Sequence, residues 1–330
     1  MIEKRNDWQE RLSPRVNAIA PSGIRKFFDI AAQMEDVISL GVGEPDFVTP
    51  WSIRESCVYG LEQGYTSYTA NRGLPELREE IARHYADEYG CSYDADTDIL
   101  VTVGVSEALD LVMRAILAPG DEVLIPEPCY VSYQACTILA GGKPVAVPAK
   151  IENEFRITPD ELEEHVTPRT KALLIGYPNN PTGAIMTRKD LLAIAAFAEK
   201  HDLIVISDEI YGDLTYGGEK HVCFSSLPGM QERTILLNGF SKAYAMTGWR
   251  IGYALGNKAF ISAMTKIHQY TMLCAPITAQ IAAIEALRHG EKYMKKMVAE
   301  YDRRRHLIYD GFTKMGLPCF EPPQISAAPL

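Results

Sequence analysis

The chain has 330 residues, 47% of them hydrophobic and 23% charged, with a net charge of −10. That length exceeds the size at which one core usually stops growing, so two domains are expected. The acidic balance argues against a nucleic-acid or anionic-membrane partner, though not against a small anionic ligand held by local donors.

The first helical pattern covers 25–34 and the next 74–89. From 99 to 255 the pattern alternates, with short Val/Ile/Leu-rich runs at 99–103, 122–125, 144–147, 172–175, 203–207, 234–237 and 252–255. They are continuous rather than alternating, as expected of strands covered on both faces. Helical segments at 106–117, 131–140 and 188–201 separate several of them. Strand–helix alternation predicts an α/β protein with a mainly parallel sheet and helices on both faces. A long helical stretch follows from about 277 to 315, and its charged part at 291–305 reads as a solvated amphipathic helix. The longest purely apolar run, 191–198, is too short to cross a bilayer. The first eight residues lack the apolar stretch of a signal peptide. Seven irregularly spaced cysteines without a Cys-x-x-Cys pair predict reduced thiols and a cytoplasmic location. No His-x-x-x-His pair or His/Cys cluster supports a metal site.

The chemistry concentrates in Gly239-Phe240-Ser241-Lys242-Ala243-Tyr244-Ala245-Met246-Thr247-Gly248-Trp249-Arg250. Small residues around Lys242 let a flat ring approach the backbone, and Arg250 offers a fixed fork for a phosphate. An amine bonding an aldehyde beside a phosphate clamp is what pyridoxal 5′-phosphate needs. Asp208 closes the run 203–207, where open α/β sheets bind ligands. A buried carboxylate there would keep the cofactor's ring nitrogen protonated; Asp208 alone is also plausible as a helix cap, and the Asp-x-x-Tyr spacing favours the functional reading. Tyr211, three residues on, can reach the phenolic oxygen of the same ring. Asn180 closes the run 172–177; its amide can donate to that oxygen and to a substrate carboxylate, although a turn asparagine before proline reads the same way. Gly104-Val105-Ser106 opens a helix after the strand at 99–103, and the Val105 and Ser106 N–H groups with the Ser106 hydroxyl suit a phosphate.

The Lys242 segment, Asp208-Glu209-Ile210-Tyr211 and Asn180-Pro181-Thr182-Gly183, in this order, resemble the class I/II aminotransferases of the fold-type I pyridoxal-phosphate enzymes. Ser22-Gly23-Ile24-Arg25, Gly43-Glu44-Pro45-Asp46-Phe47 and Ala245-Met246-Thr247-Gly248-Trp249-Arg250 resemble the prokaryotic aromatic and aspartate branch most. The resemblance implies a large cofactor domain at 51–280 and a small domain made from 1–50 and 281–330. It implies a Schiff base on Lys242, ring stacking by Tyr130, a phosphate contact shifted to Ser241 because Gly239 replaces a common serine, and a substrate-carboxylate contact at the Gly43 backbone. It also implies a homodimer in which Tyr68 reaches the phosphate of the neighbouring subunit. The implied reaction moves the α-amino group of an L-amino acid, aromatic or aspartate, to 2-oxoglutarate by a ping-pong route. A lyase or decarboxylase on the same scaffold, and a chain that binds the cofactor without turnover, stay open. The family pattern continues past residue 322 to an arginine that forks onto the substrate carboxylate; the chain stops at Leu330, so weak substrate binding is expected.

Overall fold

The computed structural model describes residues 8–20, 43–216, 220–317, 319 and 320. The predicted helix at 25–34 and the Ser22–Arg25 motif lie outside the described residues.

A short helix α1 (Pro14–Asn17) precedes α2 (Trp51–Glu62) and α3 (Pro75–Tyr89). Then come β1 (Ile99–Thr102), α4 (Val105–Ile116), β2 (Glu122–Glu127), α5 (Ser132–Ala140), β3 (Lys143–Pro148) and α6 (Pro159–Glu163). These lead to β4 (Thr170–Gly176), α7 (Arg188–Lys200), β5 (Ile204–Asp208), β6 (Thr234–Gly239) and β7 (Gly252–Leu255). Three helices close the described chain: α8 (Lys258–Thr271), α9 (Ile277–His289) and α10 (Glu291–Lys314). Among the described residues, no helix is long and apolar enough to cross a membrane.

All seven predicted strands are present and form one sheet in the order β1-β7-β6-β5-β4-β2-β3. Neighbours pair in parallel from β6 across to β3, and β7 alone runs antiparallel to both of its neighbours. The strands β1, β2, β4, β5 and β6 therefore all end at the same edge of the sheet. The chain turns at that edge into Gly104, Tyr130, Asn180, Tyr211 and Lys242, five segments far apart in sequence.

Strand alternation then chooses the face. On β5, Val205 joins one apolar cluster with α7 while Ile206 joins the other with α4 and α8. Asp208 shares the face of Ile206, two residues on. Gly176, on β4, sits beside Asp208 in register. A third cluster packs α2, α3 and α9 against β1 and β7.

The predicted helix from 277 to 315 is two helices, separated at Gly290. A Cβ on Gly290 would lie 2.6 Å from the Tyr244 ring and against the Ala286 carbonyl, so only glycine lets α9 hand over to α10 there. The helices α1, α2, α6 and α8 were not among the predicted elements. Gly90 and Gly141, at φ 69° and 91°, end α3 and α5 in the left-handed turn that glycine adopts at least cost.

Candidate active site

The amino end of α4 is built as an anion cradle. Its cap, Gly104, has φ 77° and no side chain caps the free N–H groups. The Arg250 guanidinium fills the space a Cβ on Gly104 would take, at 2.7 Å from it. Arg250 itself has φ 53°, a left-handed turn that folds it back, and its Nη1 donates to the Thr247 carbonyl at 3.0 Å. Gly252 and Gly239 complete the packing: a Cβ on Gly252 would meet Val105 N at 2.7 Å, and one on Gly239 would meet Gly252 Cα at 2.9 Å. The exposed Ser106 hydroxyl stands on the first turn of α4 beside these groups. Free helix N–H groups, the helix dipole and a guanidinium are what a doubly charged phosphate requires.

The Lys242 amine lies at the other end of the site. It donates to the Gly43 carbonyl and sits 5.7 Å from the centre of the Tyr211 ring. Burial holds its pKa below the ordinary lysine value; Arg250 adds to that, and Glu44 opposes it. A lowered pKa leaves more of the amine uncharged and nucleophilic at neutral pH. The loop after Lys242 is tied to the 43–49 segment: Thr49 Oγ1 donates to the Ala245 carbonyl at 2.5 Å, Trp249 Nε1 to Thr49 Oγ1 at 3.0 Å, and Thr247 Oγ1 to Glu44 Oε2 at 3.1 Å.

Asp208 lies between cradle and amine in sequence and deep beneath the edge in space, 7% exposed. Burial raises its pKa to about 6; the Tyr133 hydroxyl and the Ile210 N–H pull it down, and Glu209 pushes it up. The Tyr133 hydroxyl donates to Oδ2 at 2.8 Å and Ile210 N to Oδ1 at 3.3 Å. Burial pushes the Tyr211 phenol's pKa up, and the Asn180 side chain opposes this, so the two groups predicted to share one oxygen do stand near each other. The half-buried Tyr130 packs edge-on to Tyr133, ring centres 5.7 Å apart. Ser241 is half-buried beside Lys242. Tyr68 differs from the rest: it is 83% exposed, in the segment after α2.

Two residues with no role in the sequence reading organise this edge. Buried Asn179, rather than Asn180, holds the loop after β4: its Oδ1 accepts from Thr182 N at 3.2 Å and Thr182 Oγ1 at 2.8 Å, and its Nδ2 donates to the Pro128 carbonyl at 3.3 Å. Glu107 accepts from Val103 N at 2.5 Å and bonds His268 Nδ1 at 2.7 Å, pinning the turn from β1 into α4. The signal for Asn179 was the doubled asparagine before a proline; Glu107–His268 spans 161 residues and left none.

A cradle for a phosphate, a buried carboxylate for a ring nitrogen, an amide and a phenol for a phenolic oxygen and an amine of lowered pKa for an aldehyde together fit pyridoxal 5′-phosphate. The family model "Aminotransferase class I and II" matches residues 35–325. The chain is 50% identical over 313 residues to an aspartate aminotransferase of Pyrococcus abyssi and 46% identical over 313 residues to aromatic-amino-acid aminotransferase 2 of Thermococcus litoralis, covering 94% of this chain and 80% of each relative. The solved aspartate aminotransferase of Thermus thermophilus with maleate superposes with a TM-score of 0.90 at 40% identity, over 95% of this chain and 83% of that one. A shared sheet edge, a donor set that fits the cofactor and identities of this size over nearly the whole chain have one reading: the chain belongs to the class I and II aminotransferases and is a pyridoxal-phosphate-dependent enzyme of fold type I.

Proposed function

We propose that this aminotransferase moves the α-amino group of an L-amino acid, aromatic or aspartate, to 2-oxoglutarate in two half-reactions with ping-pong kinetics. The observation that carries the reading is the Lys242 amine, its pKa lowered by burial and held at the Gly43 carbonyl, on the same edge as Asp208 and the Arg250 cradle. Relatives named for aspartate and for aromatic amino acids stand at similar identity, which supports a donor from either class.

When bound, pyridoxal phosphate supplies an electron sink that lets a bond at the substrate α-carbon break heterolytically. Arg250, Ser241, the Ser106 hydroxyl and the Val105 and Ser106 N–H groups bind its phosphate. Asp208 holds a proton on the ring nitrogen through its negative charge. Tyr130 stacks on the ring and fixes its plane. Tyr211 and Asn180 donate to the phenolic oxygen, and Asn180 with the Gly43 backbone orients the substrate carboxylate. Lys242 would hold the cofactor through its amine and would serve as the base for the proton at the substrate α-carbon. Tyr68 from a second copy of the chain completes the phosphate site, so the working unit is a homodimer. The large domain is 51–280, the small domain 1–50 with 281–330, and the location is the cytoplasm.

The test is a panel of L-amino acids with 2-oxoglutarate, following keto-acid release. Keto acid and glutamate in equal amounts, with parallel double-reciprocal plots, are expected. Carbon dioxide or ammonia released without glutamate would overturn the reading in favour of a decarboxylase or lyase.

A further inference from the structure

Asp208 does not reach its position unaided. Its Oδ2 accepts the Tyr133 hydroxyl at 2.8 Å, and Tyr133 is 5% exposed. Tyr133 stands on the first turn of α5; its own N–H donates to the Tyr130 carbonyl at 3.1 Å, and Thr137 Oγ1 donates to its carbonyl at 2.8 Å. The turn that leads into α5 therefore carries both the proposed stacking aromatic, Tyr130, and the phenol that grips the carboxylate. Across the sheet the phenol rests on Gly176, where any Cβ would collide with its oxygen. That leaves the hydroxyl one place to go, the carboxylate beside Gly176 in register.

We propose that Tyr133 is a positioning residue for the reaction: its hydroxyl keeps the Asp208 carboxylate ionised and fixed in direction, so that the ring nitrogen of the cofactor stays protonated. This rests on the role proposed for Asp208. A phenol is suited to the task because it stays a donor. Burial and the adjacent Asp208 charge both push its pKa well up, so it holds its proton throughout the working pH range. A carboxylate this deep favours its neutral form, and a neutral Asp208 would not stabilise a positive ring nitrogen. Removing the donor should shift the balance to the neutral acid by the worth of one charge-assisted hydrogen bond, roughly one to two pH units.

The experiment compares Tyr133→Phe and Gly176→Ala with wild type. Gly176→Ala leaves both partners in place and displaces only the hydroxyl. In the apoprotein, the Asp208 titration is followed by carbon-13 NMR, assigned with Asp208→Asn. In the holoenzyme, nitrogen-15 NMR of ring-labelled cofactor reports the protonation of its nitrogen. The expected result is an Asp208 midpoint raised by at least about one pH unit in both variants, a ring-nitrogen signal moved towards the unprotonated position at pH 8, and a lower kcat with KM little changed. Tyr133→His, which restores a donor, should recover part of the signal. Unchanged Asp208 and ring-nitrogen titrations in Tyr133→Phe, with only a lower melting temperature, would overturn the proposal. Failure of the underlying reading is distinguishable: in that case wild type itself would show no response of the ring nitrogen to Asp208→Asn.

Discussion

Replacing Asp208 by Asn should stabilise the apoprotein at neutral pH while disabling the enzyme. The carboxyl ordinarily titrates at 3.8 and is raised to about 6 by burial. The folded state therefore holds a proton that the unfolded state has released between about pH 4 and pH 6. Folding stability falls as pH rises through that window, because the unfolded state binds fewer protons there. Above pH 6 the full penalty is present, and about two pH units correspond to ~3 kcal/mol at ~1.4 kcal/mol per unit. Asparagine carries no charge to desolvate, and its carbonyl oxygen can still accept from Tyr133. Its new amide N–H finds a poorer partner, which costs about 1 kcal/mol. The expected net gain is ~1–2 kcal/mol at pH 8, fading to nothing near pH 4. Urea midpoints of the two apoproteins between pH 4.5 and 8 measure it directly. A difference between them that does not change with pH would refute the reasoning. With cofactor bound the order should invert, since the ring nitrogen then compensates the wild-type carboxylate.

Gly104→Ala forces a Cβ to within 2.7 Å of the Arg250 guanidinium at a residue with φ 77°, so cofactor affinity should drop at least about tenfold; equilibrium titration with pyridoxal phosphate checks it. Asp208→Ala should slow single-turnover transamination far more than Tyr211→Phe, which deletes one hydrogen bond of roughly 1 kcal/mol; equal losses in stopped-flow traces would contradict the assigned roles. Gly290→Ala drives a methyl against the Tyr244 ring and the Ala286 carbonyl, and should lower stability by about 1–3 kcal/mol without altering cofactor spectra; thermal melts and absorbance together test this.

Most strands were legible because each is a short continuous apolar run that the fold buries on both faces; β1 and β7 are buried at every position, whereas only Val147 is buried on the edge strand β3. Their order was not, since β7 inserts antiparallel between β6 and β1, and its pairing with β1 joins residues more than a hundred positions apart. The helices α2 and α8 went unread because part of what they expose is apolar: Trp51, Val58, Tyr59 and Leu61 on α2 and Tyr270 on α8 blur the amphipathic period. Gly290 carried no proline to mark the break between α9 and α10, and its charged neighbours Arg288, His289, Glu291 and Lys292 read as the solvated face of one helix. At the candidate site, Lys242, Asp208, Asn180, Tyr211 and Arg250 could be named as candidates because each lies next to a strand end with a recognisable neighbour. Tyr133 could not, because its partner is 75 residues away and nothing in a tyrosine on a helix announces a buried carboxylate across the sheet.

The central claim is that Lys242 is the residue that bonds the cofactor. Borohydride reduction of the holoenzyme followed by peptide mapping tests it most directly. The account predicts one pyridoxyl group per chain, on the peptide containing Lys242, and none in Lys242→Ala. A pyridoxyl group on another lysine, or none with pyridoxal phosphate in excess, would contradict it.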